Sequence, residues 1–426
     1  MPPITDHPLR YALANEIHAR PFPAIRAPAT GAFLAIKQEA NASARDREAD
    51  RRHLIKLLDR HGADHPSPGA THYYGQVGRH WLKWESHTEF VTYTAVADGL
   101  SERAFDPADF GAFPEDWLAE APGTRLTSAL IRVAEESDPD TQTDLIEDWF
   151  VSESLAVSSV VDNTCVVASD FRIDPAGHMR IAVFAKPDTG ERRIGRVVQR
   201  LCEIETYKTM SMLGFARVQA MGKRLGEIDE ALLHLVDEMS GGPSESEGTL
   251  KELLTLSSEL ENLAAKASFR FSATRAYEAI VNQRIEVLRE ERFNGRQTFR
   301  EFMMRRYDPA MRTVASTEQR LKAMSDRALR AGDLLRTSVD VERQAQNQQL
   351  LESMDKRADL QLRLQKTVEG LSVVAISYYA VNLVVYALGP LTQPLGLSSY
   401  LMLGIATPLT VLGVWWLVRR IRRSVE

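Results

Sequence analysis

The sequence predicts an α+β cytosolic domain followed by long α-helices and a C-terminal two-helix transmembrane hairpin. Three observations carry that expectation. Residues 371–388 and 397–418 contain no charged side chain, and each run, at about 18 to 22 residues, is long enough to cross the hydrocarbon of a bilayer. No proline occurs between Pro309 and Pro390, and only Gly332 and Gly370 interrupt a run of good helix formers there. The first 190 residues instead hold short segments rich in aromatic and β-branched residues, separated by Pro, Gly and Asp clusters.

The averages conceal this partition. With 426 residues, 44% of them hydrophobic, a formal charge of −6 and a mean hydropathy of −0.26, the chain is neither disordered nor many-spanning. Two cysteines, Cys165 and Cys202, exclude a disulfide scaffold or a Cys-rich zinc module. The N-terminus has neither a basic nor an apolar leader region, so no cleaved secretory signal is expected. Topology follows from charge. Lys356, Arg357, Arg363 and Lys366 precede the first span, Arg419, Arg420, Arg422 and Arg423 follow the second, and the connector at 389–396 has none. The positive-inside rule then places both termini in the cytoplasm and the connector outside, with Trp415 and Trp416 at the interface.

In order, 1–190 is expected to be the α/β domain. Gly31–Gln38 reads as a strand, and Asp46–Arg60 as a helix with Leu54, Leu57 and Leu58 on one face. His72–Val96 reads as two strands, and Asn163–Lys186 as a second pair turning at Asp174-Pro175-Ala176-Gly177. Between the pairs lie Pro-containing connections and a short helix near Asp144–Phe150. A helical region spans 191–307, as helices over Glu191–Met239 and about Leu250–Phe293 with a loop at 241–248. A stalk helix over 308–370, starting at Asp308-Pro309, runs into the first span at 371–388. Together these would make one helix of about 120 Å. The connector 389–396, the second span 397–418 and a basic tail 419–426 complete the chain. The stalk seam of Met324, Ala328, Ala331, Leu335, Val339, Leu350, Met354 and Ala358 is interrupted by a polar stretch at 340–349. It suits either a wet, higher-order helical assembly or a bundle folded within one chain.

Chemistry is harder to read. P-loop, dinucleotide-binding, nucleophile-elbow and zinc-protease signatures are all missing, so no enzyme is expected. Nucleic acid is not an expected partner of a mildly acidic chain whose arginines alternate with acids. Eight of the ten histidines fall within the first 87 residues. His7, Asn15, Glu16, His18 and Arg20 concentrate hydrogen-bonding groups ahead of a Pro-rich exit, where they could grip an anion or metal or tie the N-terminus to the sheet. On one strand, Glu85, His87 and Glu89 would share a face and could hold a divalent metal ion, the one cofactor considered, or stand as a solvated polar column. Met210, Met212 and Met221 read as gap-filling core. In the first span, Ser372, Tyr379, Asn382 and Tyr386 fall within about 80° of arc at 100° per residue. Polar groups at that depth need partners or water, so the stripe either lines a pore made by several copies or joins helices. In the second span, Gly404, Pro408 and Gly413 suggest close helix contact.

Two resemblances follow. HPLRYALANEIHARPFP, WESHTEFVTYT and EGLSVVAISYYAVNLV resemble an uncharacterised bacterial family of membrane-anchored proteins with a domain of unknown function. That resemblance implies the bacterial inner membrane and supplies no activity. The arrangement of α/β domain, long helix, short connector and basic C-terminus is similar to that of CorA-type magnesium channels, homopentamers whose first spans line the pore. Their Gly-Met-Asn signature is absent, the corresponding place reading Tyr386-Ala387-Leu388-Gly389-Pro390. The expectation is a homo-oligomer in the lipid bilayer, either an ion (divalent cation) channel or transporter gated by its cytosolic domain, or a non-conducting scaffold or sensor.

Overall fold

The computed structural model of the chain describes residues 4–11, 13–14, 22–39, 42–136, 138–240, 246–389 and 399–425. The protein is α+β, with one mixed sheet, long helices and two apolar helices at the C-terminal end. It comprises two compact units, one made of 1–242 with 251–331 and the other of 243–250 with 332–426.

In the first unit, β1 (Ala29–Lys37) lies where the sequence places a strand, and α1 (Arg47–Asp59) starts at Asp46, whose side chain accepts from the Glu48 amide. The segment expected to form two strands forms three: β2 (His72–Val77), β3 (His80–Ser86) and β4 (Phe90–Asp98). Two very short turns divide it, the first using Gly78 at φ 59°, a backbone region open to glycine at no steric cost. A short helix α2 (Glu115–Ala119) follows, then β5 (Thr124–Glu135), which falls where only irregular connections were expected. Next come α3 (Pro139–Trp149), β6 (Ala156–Val160), β7 (Cys165–Ser169) and β8 (Met179–Ala185). The turn before β8 contains Gly177 at φ 90°, its amide donating to the Asp174 carbonyl at 2.9 Å.

The helical region is α4 (Glu191–Ser240) and α5 (Ser246–Glu286). The second is shorter than expected, because the chain then makes a two-residue strand, β9 (Glu291–Arg292), on the sheet edge. The capping box of Thr298 and Glu301 opens α6 (Phe299–Arg306), which the sequence pattern does not separate from its neighbours. As expected, one helix, α7 (Asp308–Leu388), then runs into the first apolar segment, and α8 (Ser399–Val425) contains the second.

Among the described residues nine strands form one sheet, ordered β2-β3-β4-β1-β5-β8-β7-β6-β9. Only β5 and β8 pair in parallel. Successive side chains of a strand point to opposite faces, and both faces are covered here. Phe33, Ile131 and Val183 pack with Ile194, Leu201 and Ile285 of α4 and α5, while Leu34, Leu130 and Phe184 share a second core with Leu54, Trp84 and Trp117. The stalk seam divides. Met324, Ala328, Ala331, Leu335 and Val339 are buried, as in a bundle folded within one chain, whereas Leu350 and Met354 are exposed. Arg320 and Arg327 both pair with Asp229 of α4, fixing the start of α7 in the first unit.

Candidate functional site

The column expected from Glu85, His87 and Glu89 does not form. Strand β3 ends at Ser86 and β4 begins at Phe90, so His87 and Glu89 sit in the connecting turn and the two-residue alternation stops. Glu85 stays on β3, 3.1 Å from Lys83 Nζ. Buried Glu89 instead takes a hydrogen bond from Tyr277 Oη at 2.8 Å and an ion pair from Arg270, both on α5. The His87 ring stacks on Phe90 at 4.4 Å, with Nε2 3.3 Å from Thr92 Oγ1. Among the described residues no group of three His, Cys, Asp or Glu side chains converges as a metal site. The physical reason is the turn, which sends three neighbouring side chains to three different partners.

Sequence reasoning missed the group that fixes this turn. The Arg45 side chain, 2% exposed, donates from Nε to Asp50 at 2.7 Å and from Nη2 to the carbonyls of His87 (2.7 Å) and Phe90 (3.1 Å). These last two partners lie about forty residues away, and no local pattern signals such a clasp. Burial pushes the Asp50 carboxyl up, with Arg45 acting against it.

Beside the turn, a chain of polar contacts links the sheet to both long helices. Lys83 Nζ donates to Gln199 Oε1 (2.7 Å), Gln199 Nε2 donates to Glu203 Oε1 (2.8 Å), and Glu203 pairs with Arg284. The void among Phe33, Glu85, His87, Cys202 and Tyr207 measures about 20 Å³, room for about one water molecule. Burial pushes the Cys165 thiol up to about 11 and the Cys202 thiol further, so neither is a thiolate near neutral pH. The cleft's ionic groups are each matched by a protein partner, which suits it to holding sheet and helices together.

Of the N-terminal motif, Asn15, Glu16, His18 and Arg20 lie outside the described residues. His7 Nδ1 accepts from the Leu9 amide at 3.2 Å, and Asp6 pairs with Arg10. The exit from the motif is fixed. Ile25 N donates to the Glu191 carbonyl at 3.1 Å, and a Cβ on Gly195 would come within 1.7 Å of the Pro23 carbonyl oxygen. Only glycine fits at 195. Met210 and Met221 are buried and Met212 packs at the edge of the core, as the spacing suggested.

In the second unit, two helices are long and apolar enough to cross a membrane. Among the described residues of their apolar segments, 371–388 and 400–421, only Ser377 and Ala406 are buried. At about 100° per residue, Ser377 lies roughly 170° from the centre of the Ser372, Tyr379, Asn382 and Tyr386 stripe. Tyr379 is 68% and Tyr386 81% exposed, Ser372 is exposed and Asn382 half-buried. Tyr379 and Tyr386 therefore point away from the buried side of the helix, while Ser372 lines a groove shared with Val418 and Ile421 of α8. A Cβ added at Gly404 or Gly413 would meet nothing within 4 Å, so the close contact expected there is not made among the described residues. At the end of α8, Arg419 lies over the Trp415 ring at 4.9 Å and Arg420 over Trp416 at 5.3 Å, a pairing of cation and aromatic face suited to a headgroup interface.

No curated protein and no solved structure matches the chain. The profile of DUF3422, a protein of unknown function, matches residues 5–425, and the chain belongs to that family.

Proposed function

We propose that the protein is a membrane-anchored homo-oligomer of the bacterial inner membrane, with both termini cytoplasmic, whose copies of α7 build a path for ions. Ser372, Tyr379, Asn382 and Tyr386 face that path, and the cytosolic α/β region regulates it. The observation that carries this reading is the placement of the polar stripe on the side of α7 opposite buried Ser377. Intramolecular packing leaves two phenols uncovered and an amide half-buried at membrane depth, where they need water or other polar groups. The likeness in plan to CorA-type channels makes divalent cations the first class to test. The altered sequence at Tyr386–Pro390 separates this chain from the magnesium signature. Flux of divalent cations into liposomes carrying the full chain should exceed that of empty liposomes, and Asn382→Leu should reduce it at least about tenfold.

A second reading, a non-conducting anchored scaffold or sensor, draws on the N-terminal segment. Ile4, Leu9, Tyr11 and Leu13 are all more than half exposed, and a partner protein would cover them. Background-level flux in both wild type and Asn382→Leu would leave this reading standing.

A further inference from the structure

We infer that one face of α7, from Leu350 through Tyr386, is the surface by which copies of this chain assemble into a parallel ring of more than two helices. The stalk half of that face makes the contact in water. The inference deepens the proposal above and rests on it in taking the two apolar helices as membrane spans.

The face can be traced on the helix. At about 100° per residue, Leu350, Met354, Leu364 and Val368 fall within an arc of about 80°. The same arc continues without a change of phase through Ala375, Tyr379, Asn382 and Tyr386, because α7 is unbroken across the boundary. Charges take the other side. The acids Glu352, Asp355, Asp359 and Glu369 and the bases Lys356, Arg363 and Lys366 lie within about 140° of arc centred opposite. Arg363 and Asp359 pair there at 3.1 Å. Of the charged side chains between 344 and 376, Arg357 alone points into the seam.

The described residues of the chain leave the stalk half of this face open. Leu350 is 59% and Leu364 66% exposed, and the residues between them are exposed as well. Lipid does not cover it, since Leu350 precedes the span by about 20 residues, or roughly 30 Å of helix. Another protein must. Identical chains inserted with one topology present α7 parallel and at the same depth, so each residue meets its own copy at the same height. Rows of Leu and Val then meet rows of Leu and Val. Gln361 and Asn382 meet a second amide, and an amide both donates and accepts, so it is complementary to itself. The opposite side is charged in water and carries buried Ser377 in the apolar part, which fits an outward face.

Width argues for more than two copies. Apart from Arg357 the uncharged arc spans about 220°, more than the narrow seam by which a helix meets a single partner. On one flank of it, where it meets the charged side at Glu369, Leu364, Val368 and Ser372 of α7 and Val418 and Ile421 of α8 line a groove of about 580 Å³. Side chains of a neighbouring α7 would fill it. A cyclic arrangement gives every helix two neighbours and leaves no end open.

The test uses the full chain in membrane vesicles under a mild oxidant, where buried Cys165 and Cys202 are out of reach. Leu364→Cys should yield a disulfide-linked dimer at least about tenfold more abundant than Lys366→Cys on the charged side. Both positions are exposed in the single chain, so neither change should prevent folding. Leu360→Cys combined with Gln365→Cys, on the two flanks of the arc, should give a ladder beyond the dimer. Removing the like-charge ring with Arg357→Leu should raise resistance of the oligomer to detergent. Equal or absent cross-linking at 364 and 366 would overturn the interface, and a ladder that stops at the dimer would overturn the ring. Background flux with the ladder intact would refute conduction and leave the assembly; flux without seam cross-links would refute this interface alone.

Discussion

Glu89, 1% exposed, sits against Arg270 and Tyr277, whereas Leu364, 66% exposed, stands on a bare helix. The two residues stand for two regions that treat charge and apolar surface in opposite ways. In the sheet region buried charges sit beside counter-charges in pairs such as Arg45 and Asp50 or Lys83 and Glu85, because an unpaired buried ion is expensive. Along distal α7 the charges stay in water and apolar side chains are uncovered. The first region covers its buried charges with partners of its own, whereas the described residues leave the apolar side chains of the second exposed.

The strongest way to break this contrast is Glu89→Ala, which leaves Arg270 without its carboxylate. Loss of a buried pair costs roughly 3–5 kcal/mol. The Arg270 side chain retains 17% exposure, so about 3 kcal/mol is expected in chemical denaturation of the detergent-solubilised chain. A loss below about 1 kcal/mol, the range of exposed pairs, would mean that the pair does not hold α5 to the sheet.

Gly214→Ala probes the same region through packing. A Cβ there would lie 2.2 Å from Thr274 Oγ1, where α4 and α5 approach closely. Overpacking of this kind costs about 1–3 kcal/mol. Restoration by the double change with Thr274→Ala, in a thermal unfolding series, would locate the effect at that contact.

A smaller effect comes from pH. Burial lowers the affinity of His53, His80 and His178 for a proton, His80 from 6.5 to about 4. The unfolded chain therefore takes up protons first on acidification. The stability that these neutral rings contribute is present above pH 6.5 and is lost as pH falls toward about 4. Asp50 and Glu290, pushed up by burial, act in the opposite direction. The urea midpoint should fall from pH 7 to pH 5, and His80→Gln should flatten that fall; an unchanged slope would show that His80 titrates freely.

The smallest effect is expected at Leu350→Ser. In the monomeric chain at high dilution in detergent, unfolding of the sheet region should change by less than about 0.5 kcal/mol, as for other surface positions. A loss of about 2 kcal/mol, as for a buried leucine, would mean that the chain covers this side chain itself, and the contrast between the regions would fail.

Legibility followed the range of the interactions involved. The apolar runs, the stalk helix and the helix at Arg47–Asp59 were readable because their signals are local: absence of charge, absence of proline, a capping Asp46. Strand β5 was missed although it is central, since Thr127, Ser128 and Arg132 break its apolar alternation. Two of those polar groups are satisfied by distant partners, Thr127 by Glu205 and Ser128 by His178. The expectation of two strands within His72–Val96, where there are three, has a related cause, since a turn as short as Gly78-Arg79 barely interrupts the pattern.

By itself the sequence determined the order of the molecule: an α+β body, long helices and two apolar helices, each set by composition along a contiguous stretch. It also determined which side of α7 carries charge, because helical geometry converts spacing directly into direction. Only the tertiary structure decided that the Glu85, His87 and Glu89 trio is split among Lys83, Thr92 and Arg270, and that the side of α7 carrying Ser377 is the buried one. Both depend on where segments far apart in the chain come to lie, and local pattern carries no information about that.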